Sequence, residues 1–122
     1  VRPDVCAVGG ITASKKICAI AEANDVLVIP HNPLGPVSTA ACLQICASVP
    51  NFGIQELPGF CLNGAEDAMV QKPFQVEDGC LLIPDAPGIG VELSENASEL
   101  YPLNDRGGIN AKRMFDGSVK DW

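Results

Sequence analysis

Apolar positions along the chain follow two rhythms. Short, continuous apolar runs at Pro3–Val8 (PDVCAV), Asp25–Pro30 (DVLVIP) and Phe52–Leu57 (FGIQEL) alternate with longer stretches of helical period. In Thr12–Asn24 (TASKKICAIAEAN) the stripe is Ile17, Ala19, Ile20 and Ala23, with Thr12 as the expected N-cap. In Ser38–Val49 (STAACLQICASV) Ser38 or Thr39 takes that place. The predicted order is β-α-β-α-β. Strands apolar throughout, rather than at alternate positions, belong to a parallel sheet covered by helices. After Pro58 the beat changes. Phe74–Pro84 (FQVEDGCLLIP) predicts a β-hairpin turned at Asp78-Gly79, and a polar tail runs to Trp122. The chain thus divides into an α/β part, 1–57, and a C-terminal segment, 58–122.

Composition narrows the class. With 122 residues, 47% hydrophobic and 19% charged, the chain has the balance of a globular domain and enough length for one core. A net charge of −7 argues against nucleic acid or an anionic membrane as partner. No basic cluster is longer than Lys15-Lys16, a pair expected on a solvated helix face. The most apolar window, ICAIAEANDVLVI, is broken by Glu22, Asn24 and Asp25 and is not a membrane span. No leader pattern opens the chain, and a soluble, cytoplasmic protein is the expectation. Of six cysteines, Cys18, Cys42 and Cys46 fall in helical patterns and Cys6 in a strand-like run. That placement, without any Cys-x-x-Cys pair, predicts free structural thiols rather than disulfides or a zinc site. Gly88-Ile89-Gly90 lacks the third glycine and the following helix of a dinucleotide fingerprint.

Chemistry enters at the strand ends. Asp4 lies in the first strand, His31, the single histidine, just past the second, and Glu56 near the end of the third. Each separation is about one βα unit, and right-handed parallel units bring equivalent strand ends side by side. An Asp that accepts a hydrogen bond from one imidazole nitrogen fixes the tautomer and leaves the other nitrogen to give or take a proton near neutral pH. A neighbouring carboxyl group can hydrogen-bond an oxygen on which charge develops, and Glu56 is placed for that role. Against this stand blander roles: a loop histidine, an Asp4 that caps a turn, a solvated Glu56.

The motifs RPDVCAVGGIT, IPHNPLGPVSTAAC and FGIQE together resemble the C-terminal part of the enolase superfamily, in its mandelate-racemase-like branch, with the match closest to sugar-acid dehydratases of the galactonate type. The segments EDGCLLIPDAPGIGVEL and DGSVKDW fit the end of that branch. The resemblance implies the last three parallel strands and intervening helices of a (β/α)7β TIM-like barrel, followed by a C-terminal hairpin and tail. It implies an Asp4–His31 dyad, with His31 the general acid for a leaving β-hydroxyl, and Glu56 hydrogen-bonded to the substrate's carboxylate-derived enolate. It implies Mg²⁺ dependence, proton abstraction α to a carboxylate and a 2-keto-3-deoxy acid product. The metal ligands, a second base and a capping domain would lie upstream, so no metal-binding residue is expected here and the 122 residues alone are expected to be inactive. The implied partners are a small sugar acid and, for a full-length enzyme, further copies of itself. A racemase or epimerase using the same dyad, and a non-catalytic remnant or interaction module, remain the alternatives.

Overall fold

The computed structural model describes residues 1–59, 67–102 and 115–116. Cys61, most of the polar tail and, from Gly117 on, the terminal DGSVKDW motif lie outside the described residues. Three extended segments, around residues 1–4, 27–31 and 51–53, run parallel and adjacent in that order. The Val1 ammonium donates to Leu27 O at 2.7 Å, Ile29 N–H to Val1 O at 2.9 Å and His31 N–H to Pro3 O at 3.1 Å. On the other side Val28 N–H donates to Asn51 O at 2.8 Å and Gly53 N–H to Val28 O at 2.9 Å. The pairing consists of isolated parallel bridges, Asp4 with His31 and Val28 with Phe52, rather than the longer strands that the apolar runs predict. Prolines explain the shortness. Pro3 and Pro30 stand where the next rungs would form, and neither has an N–H to donate.

Helix α1 spans Gly10–Glu22 and α2 spans Pro36–Ala47. Both begin two residues before the predicted caps. Gly9, left-handed at φ 103°, precedes α1, and Gly35 precedes α2, where Pro36 supplies a ring already set at helical φ. Neither Thr12 nor Ser38 or Thr39 is an N-cap. The buried face of α1 also differs from the predicted stripe: Ser14, Cys18 and Ala21 face inward, while Ile20 is 68% exposed. Small side chains allow close approach, and the Ser14 hydroxyl is satisfied by Gly10 O at 3.0 Å. Helix α2 is buried on most of its circumference, which is why its sequence shows little amphipathic contrast.

Val5, Cys18, Ala21, Val28, Cys42 and Ile45 form one core between helices and parallel segments, with Ala41 and Val49 packed against it. Lys15, expected on a solvated face, instead reaches across to Ser48 O at 2.6 Å, satisfying a carbonyl at the end of α2. The five described cysteines are free thiols, and burial pushes Cys42 up to about 11 and Cys46 up to about 12. Cys6 is exposed, in the turn after Asp4 rather than in a strand.

In the C-terminal segment, β1 (Val76–Glu77) and β2 (Cys80–Leu81) form the predicted hairpin. Asp78 at φ 49° and Gly79 at φ 78° give the two left-handed central residues of a type I′ turn. An antiparallel bridge joins Val70 to Leu93, and α3 (Ala97–Leu100) follows. Gln44 of α2 donates to Ile89 O at 3.4 Å, linking the two parts. No helix among the described residues is long and apolar enough to cross a membrane.

Core and surface positions should separate cleanly under denaturant. Ile45, 1% exposed, is expected to cost about 2–4 kcal/mol when truncated to Ala, whereas Ile20→Ala stays within about 0.5 kcal/mol. Equal urea midpoint shifts for the two variants would contradict this placement of the core.

Candidate active site

The first segment ends because Asp4 ends it. Its Oδ1 accepts the Cys6 N–H at 2.9 Å and the Ala7 N–H at 3.2 Å, and its backbone carbonyl accepts Val8 N–H at 2.9 Å. The chain therefore leaves the ladder in an Asp-capped turn that runs to the left-handed Gly9 and into α1. The second oxygen, Oδ2, lies 3.0 Å from His31 Nδ1 on the neighbouring segment. Turn-capping and pairing with the imidazole are thus both roles of Asp4, divided between its two oxygens.

Burial pushes the Asp4 carboxyl upward, but hydrogen bonds from His31 and from the Cys6 and Ala7 amides outweigh it and hold the group below its ordinary value. Asp4 is consequently ionised near neutral pH and can only accept hydrogen bonds, so Nδ1 must carry the proton that lies between them. That leaves Nε2 as the nitrogen available to exchange a proton. His31 is 39% exposed at its side chain against 18% for Asp4, the order required if the imidazole meets a ligand and the carboxylate stands behind it.

Glu56 is tied to the same neighbourhood by different partners. Its Oε2 accepts Arg2 Nη2 at 2.7 Å and the backbone N–H of Asn32 at 2.7 Å. The Asn32 amide bond is the main cause that holds Glu56 below its ordinary value; burial opposes it, and Arg2 and His31 act in the same direction as Asn32. Asn32 is fully buried. Its Nδ2 donates to Thr39 Oγ1 at 2.9 Å and to Glu56 O at 3.2 Å, joining the loop after the second segment to α2 and to the third segment. Asp4 and His31 are therefore in direct contact, and Glu56 joins them through Arg2, two residues before Asp4, and Asn32, next to His31.

Those two residues escaped the reading of the sequence. Arg2 carried a signal, since side chains two apart on an extended segment share a face and Asp4 was already a candidate. Asn32 sits between a histidine and a proline and looks like an ordinary loop residue.

The described donors do not fit a metal ion. Both Asp4 oxygens and Glu56 Oε2 are engaged, a guanidinium stands on Glu56, and the described residues contain no cluster of three or more metal-ligating side chains. Two concavities among the described residues, of about 370 Å³ beside the hairpin and about 530 Å³ beside Val5 and Ala41, include none of Asp4, His31 or Glu56.

Comparison with known proteins gives concordant matches. Residues 1–97 match the family model described as enolase C-terminal domain-like. Over 99% of its length the chain is 41% identical to a D-galactonate dehydratase of Variovorax paradoxus (strain S110), and over its full length 40% identical to one of Xanthomonas oryzae pv. oryzae (strain PXO99A). It spans about a third of the length of these relatives, 33% and 34%. Among solved structures, a member of the enolase superfamily from Salmonella Typhimurium superposes with a TM-score of 0.75 at 38% identity, covering 80% of this chain and 25% of that one. A putative mandelate racemase/muconate lactonizing enzyme from Labrenzia alexandrii DFL-11 gives 0.72 at 30% identity, covering 80% and 25%.

Replacing Asp4 by Asn separates its two roles. The amide oxygen can still cap the turn, but the anion facing Nδ1 is gone. The variant is expected to be about 1–2 kcal/mol less stable at pH 7, from the lost charge-assisted hydrogen bond. Because the folded-state value of Asp4 is depressed, the wild-type advantage is complete above the ordinary value of 3.8 and vanishes as pH falls through the lowered one. Urea titrations across that range check the stability, and ¹⁵N spectra should show His31 losing its preference for the Nδ1–H tautomer. An undiminished gap at low pH would reject the assignment.

Proposed function

The chain belongs to the enolase C-terminal domain-like family, and from that premise we propose that it carries the acid/base groups of a sugar-acid dehydratase of the galactonate type. The observation that carries this reading is the 3.0 Å contact between Asp4 Oδ2 and His31 Nδ1 across adjacent parallel segments. In the proposed reaction a base outside these residues removes the proton α to the substrate carboxylate. His31 Nε2 donates its proton to the departing β-hydroxyl, which leaves as water, and the resulting enol tautomerises to a 2-keto-3-deoxy acid. Asp4 holds the ring in the tautomer that presents Nε2 and stabilises the charged imidazole before transfer.

Family membership implies a divalent metal, typically Mg²⁺. Its ligands, in this reading, belong to parts of the enzyme outside the 122 residues; among the described residues no side chains fit one. The proposed placement of residues 1–57 as the last three βα units of a barrel, with 58–122 packing back on the rest, has physical support. Leu27 is 58% exposed and Ile54 65%, and apolar side chains on a parallel sheet call for cover. A racemase or epimerase is the second reading, favoured by the likeness to the Labrenzia protein; the higher identity to the dehydratases, 41% against 30%, supports elimination.

Two assays test the proposal. In a full-length enzyme carrying these residues, His31→Asn should lower turnover of D-galactonate by about 10²–10⁴-fold, with the circular-dichroism spectrum unchanged. The purified 122-residue chain should form no 2-keto acid with Mg²⁺ present. Wild-type rates in the variant, or turnover by the chain alone, would defeat it.

A further inference from the structure

Among the described residues the last backbone bond between the second and third segments is Gly53 N–H to Val28 O, three residues before His31. Pro30 and Pro33, on either side of His31-Asn32, have no N–H to continue it. Beyond that point Asn32 makes the connection. Its backbone N–H donates to Glu56 Oε2 at 2.7 Å, and its Nδ2 donates twice, to Glu56 O at 3.2 Å and to Thr39 Oγ1 at 2.9 Å. Both groups that the side chain reaches are themselves fixed. Glu56 O also accepts Gln55 Nε2 at 2.7 Å, and Gln55 Oε1 accepts the Cys46 thiol of α2 at 3.1 Å. The Thr39 hydroxyl donates to Gly35 O at 3.3 Å and its N–H to the same oxygen at 3.1 Å, where α2 begins. Asn32 and Thr39 are fully buried, out of reach of a ligand. What Asn32 holds is the residue before it. The His31 backbone sits between its own bond to Pro3 O, 3.1 Å, and the bonds of Asn32 to the third segment and α2, and from there the imidazole meets Asp4 Oδ2.

We propose that Asn32 is a positioning residue for His31: its buried amide, braced by Thr39, sets the backbone from which the imidazole meets Asp4 and presents Nε2. The proposal rests on the reading above, in which His31 Nε2 is the proton donor, and adds what keeps that donor in place. A displacement of about 1 Å at a reacting group can cost about 100-fold in rate, so a fixed backbone here has a catalytic consequence. Stability alone does not call for an asparagine. With a leucine of the same branched outline in its place, Glu56 O would keep Gln55 Nε2 and the Thr39 hydroxyl would keep Gly35 O. The buried Oδ1, which has no partner among the described residues, would be gone. What would be lost is the tie between the His31 segment, the third segment and α2.

The direct test is the ¹⁵N spectrum of the His31 imidazole in the 122-residue chain and in its Asn32→Leu, Thr39→Val and Thr39→Ser variants, with urea unfolding of each. The wild type should show the Nδ1–H tautomer. Asn32→Leu should keep the folded spectrum yet lose that preference. Thr39→Val, which removes the brace under an intact Asn32, should lose part of it, and Thr39→Ser, which keeps the hydroxyl, should restore it. A merely structural Asn32 would change the urea midpoint without moving the tautomer, and a wild-type tautomer in folded Asn32→Leu overturns the positioning role. Should Asn32→Leu fail to fold, the Thr39 pair decides alone: a wild-type tautomer in Thr39→Val overturns the proposal. In a full-length enzyme acting on D-galactonate, Asn32→Leu should lower kcat about 10–100-fold with KM changed less than about twofold. A raised KM at unchanged kcat would also overturn it. Absence of dehydratase activity in the unsubstituted enzyme would count against the reading in the preceding subsection and leave the tautomer to decide the role of Asn32.

Discussion

The structure turns on the carboxylate of Asp4. With Oδ1 it collects two backbone amides and bends the chain out of the first segment toward α1; with Oδ2 it reaches the imidazole of the next segment. Bonds of this kind, with an ionised acceptor, are roughly twice as strong as neutral ones. They also couple two things that a neutral side chain would leave independent, where the segment stops and which nitrogen of His31 faces outward. Local backbone geometry and the orientation of the imidazole therefore share one anion.

The same handover recurs along the ladder. Within it, Val28, Ile29 and Gly53 are held by backbone hydrogen bonds. Pro3 and Pro30 then remove the donors that would carry the pairing further, and side chains take over the cross-segment contacts: Asp4 with His31, Arg2 with Glu56, and Asn32, by its amide and its side chain, with Glu56. A continuous ladder would have used these positions for regular pairing. Beyond the prolines the polar side chains satisfy one another across the segments. The prolines that shorten the strands are part of what brings Asp4, His31, Arg2, Asn32 and Glu56 into one cluster.

Much of this was legible in the residues. The βα spacing placed Asp4 and His31 at neighbouring segment ends, and Asp78-Gly79 announced its hairpin because a type I′ turn admits few other pairs. Helix starts were misread because the polar residues Thr12 and Ser38 resemble caps, whereas Gly9 and the Gly35-Pro36 pair act through backbone conformation alone. The face of α1 was misread because Ile20 outweighs Cys18 and Ala21 on any hydrophobicity scale, and close packing here selects for small side chains. Arg2 shares a face with Asp4 by spacing alone, whereas the role of Asn32 depends on which carboxylate oxygen its amide reaches, a matter of three-dimensional register to which spacing is blind.

The departures from good local design also speak against an inert scaffold. Among the described residues Asn32 is buried with its Oδ1 lacking a hydrogen-bond partner, as are Ser38 Oγ and Asn51 Oδ1, an omission that costs about 1–3 kcal/mol in a packed interior. The Arg2–Glu56 pair is more than a third exposed on both sides and contributes little to folding. A module selected for stability alone would replace Asn32 with an apolar residue and has no use for a carboxylate clamped on one oxygen. Both features sit within one residue of His31 or on Glu56. A buried amide oxygen without a partner and a one-sided carboxylate clamp, side by side with a paired imidazole, mark this edge as the candidate site.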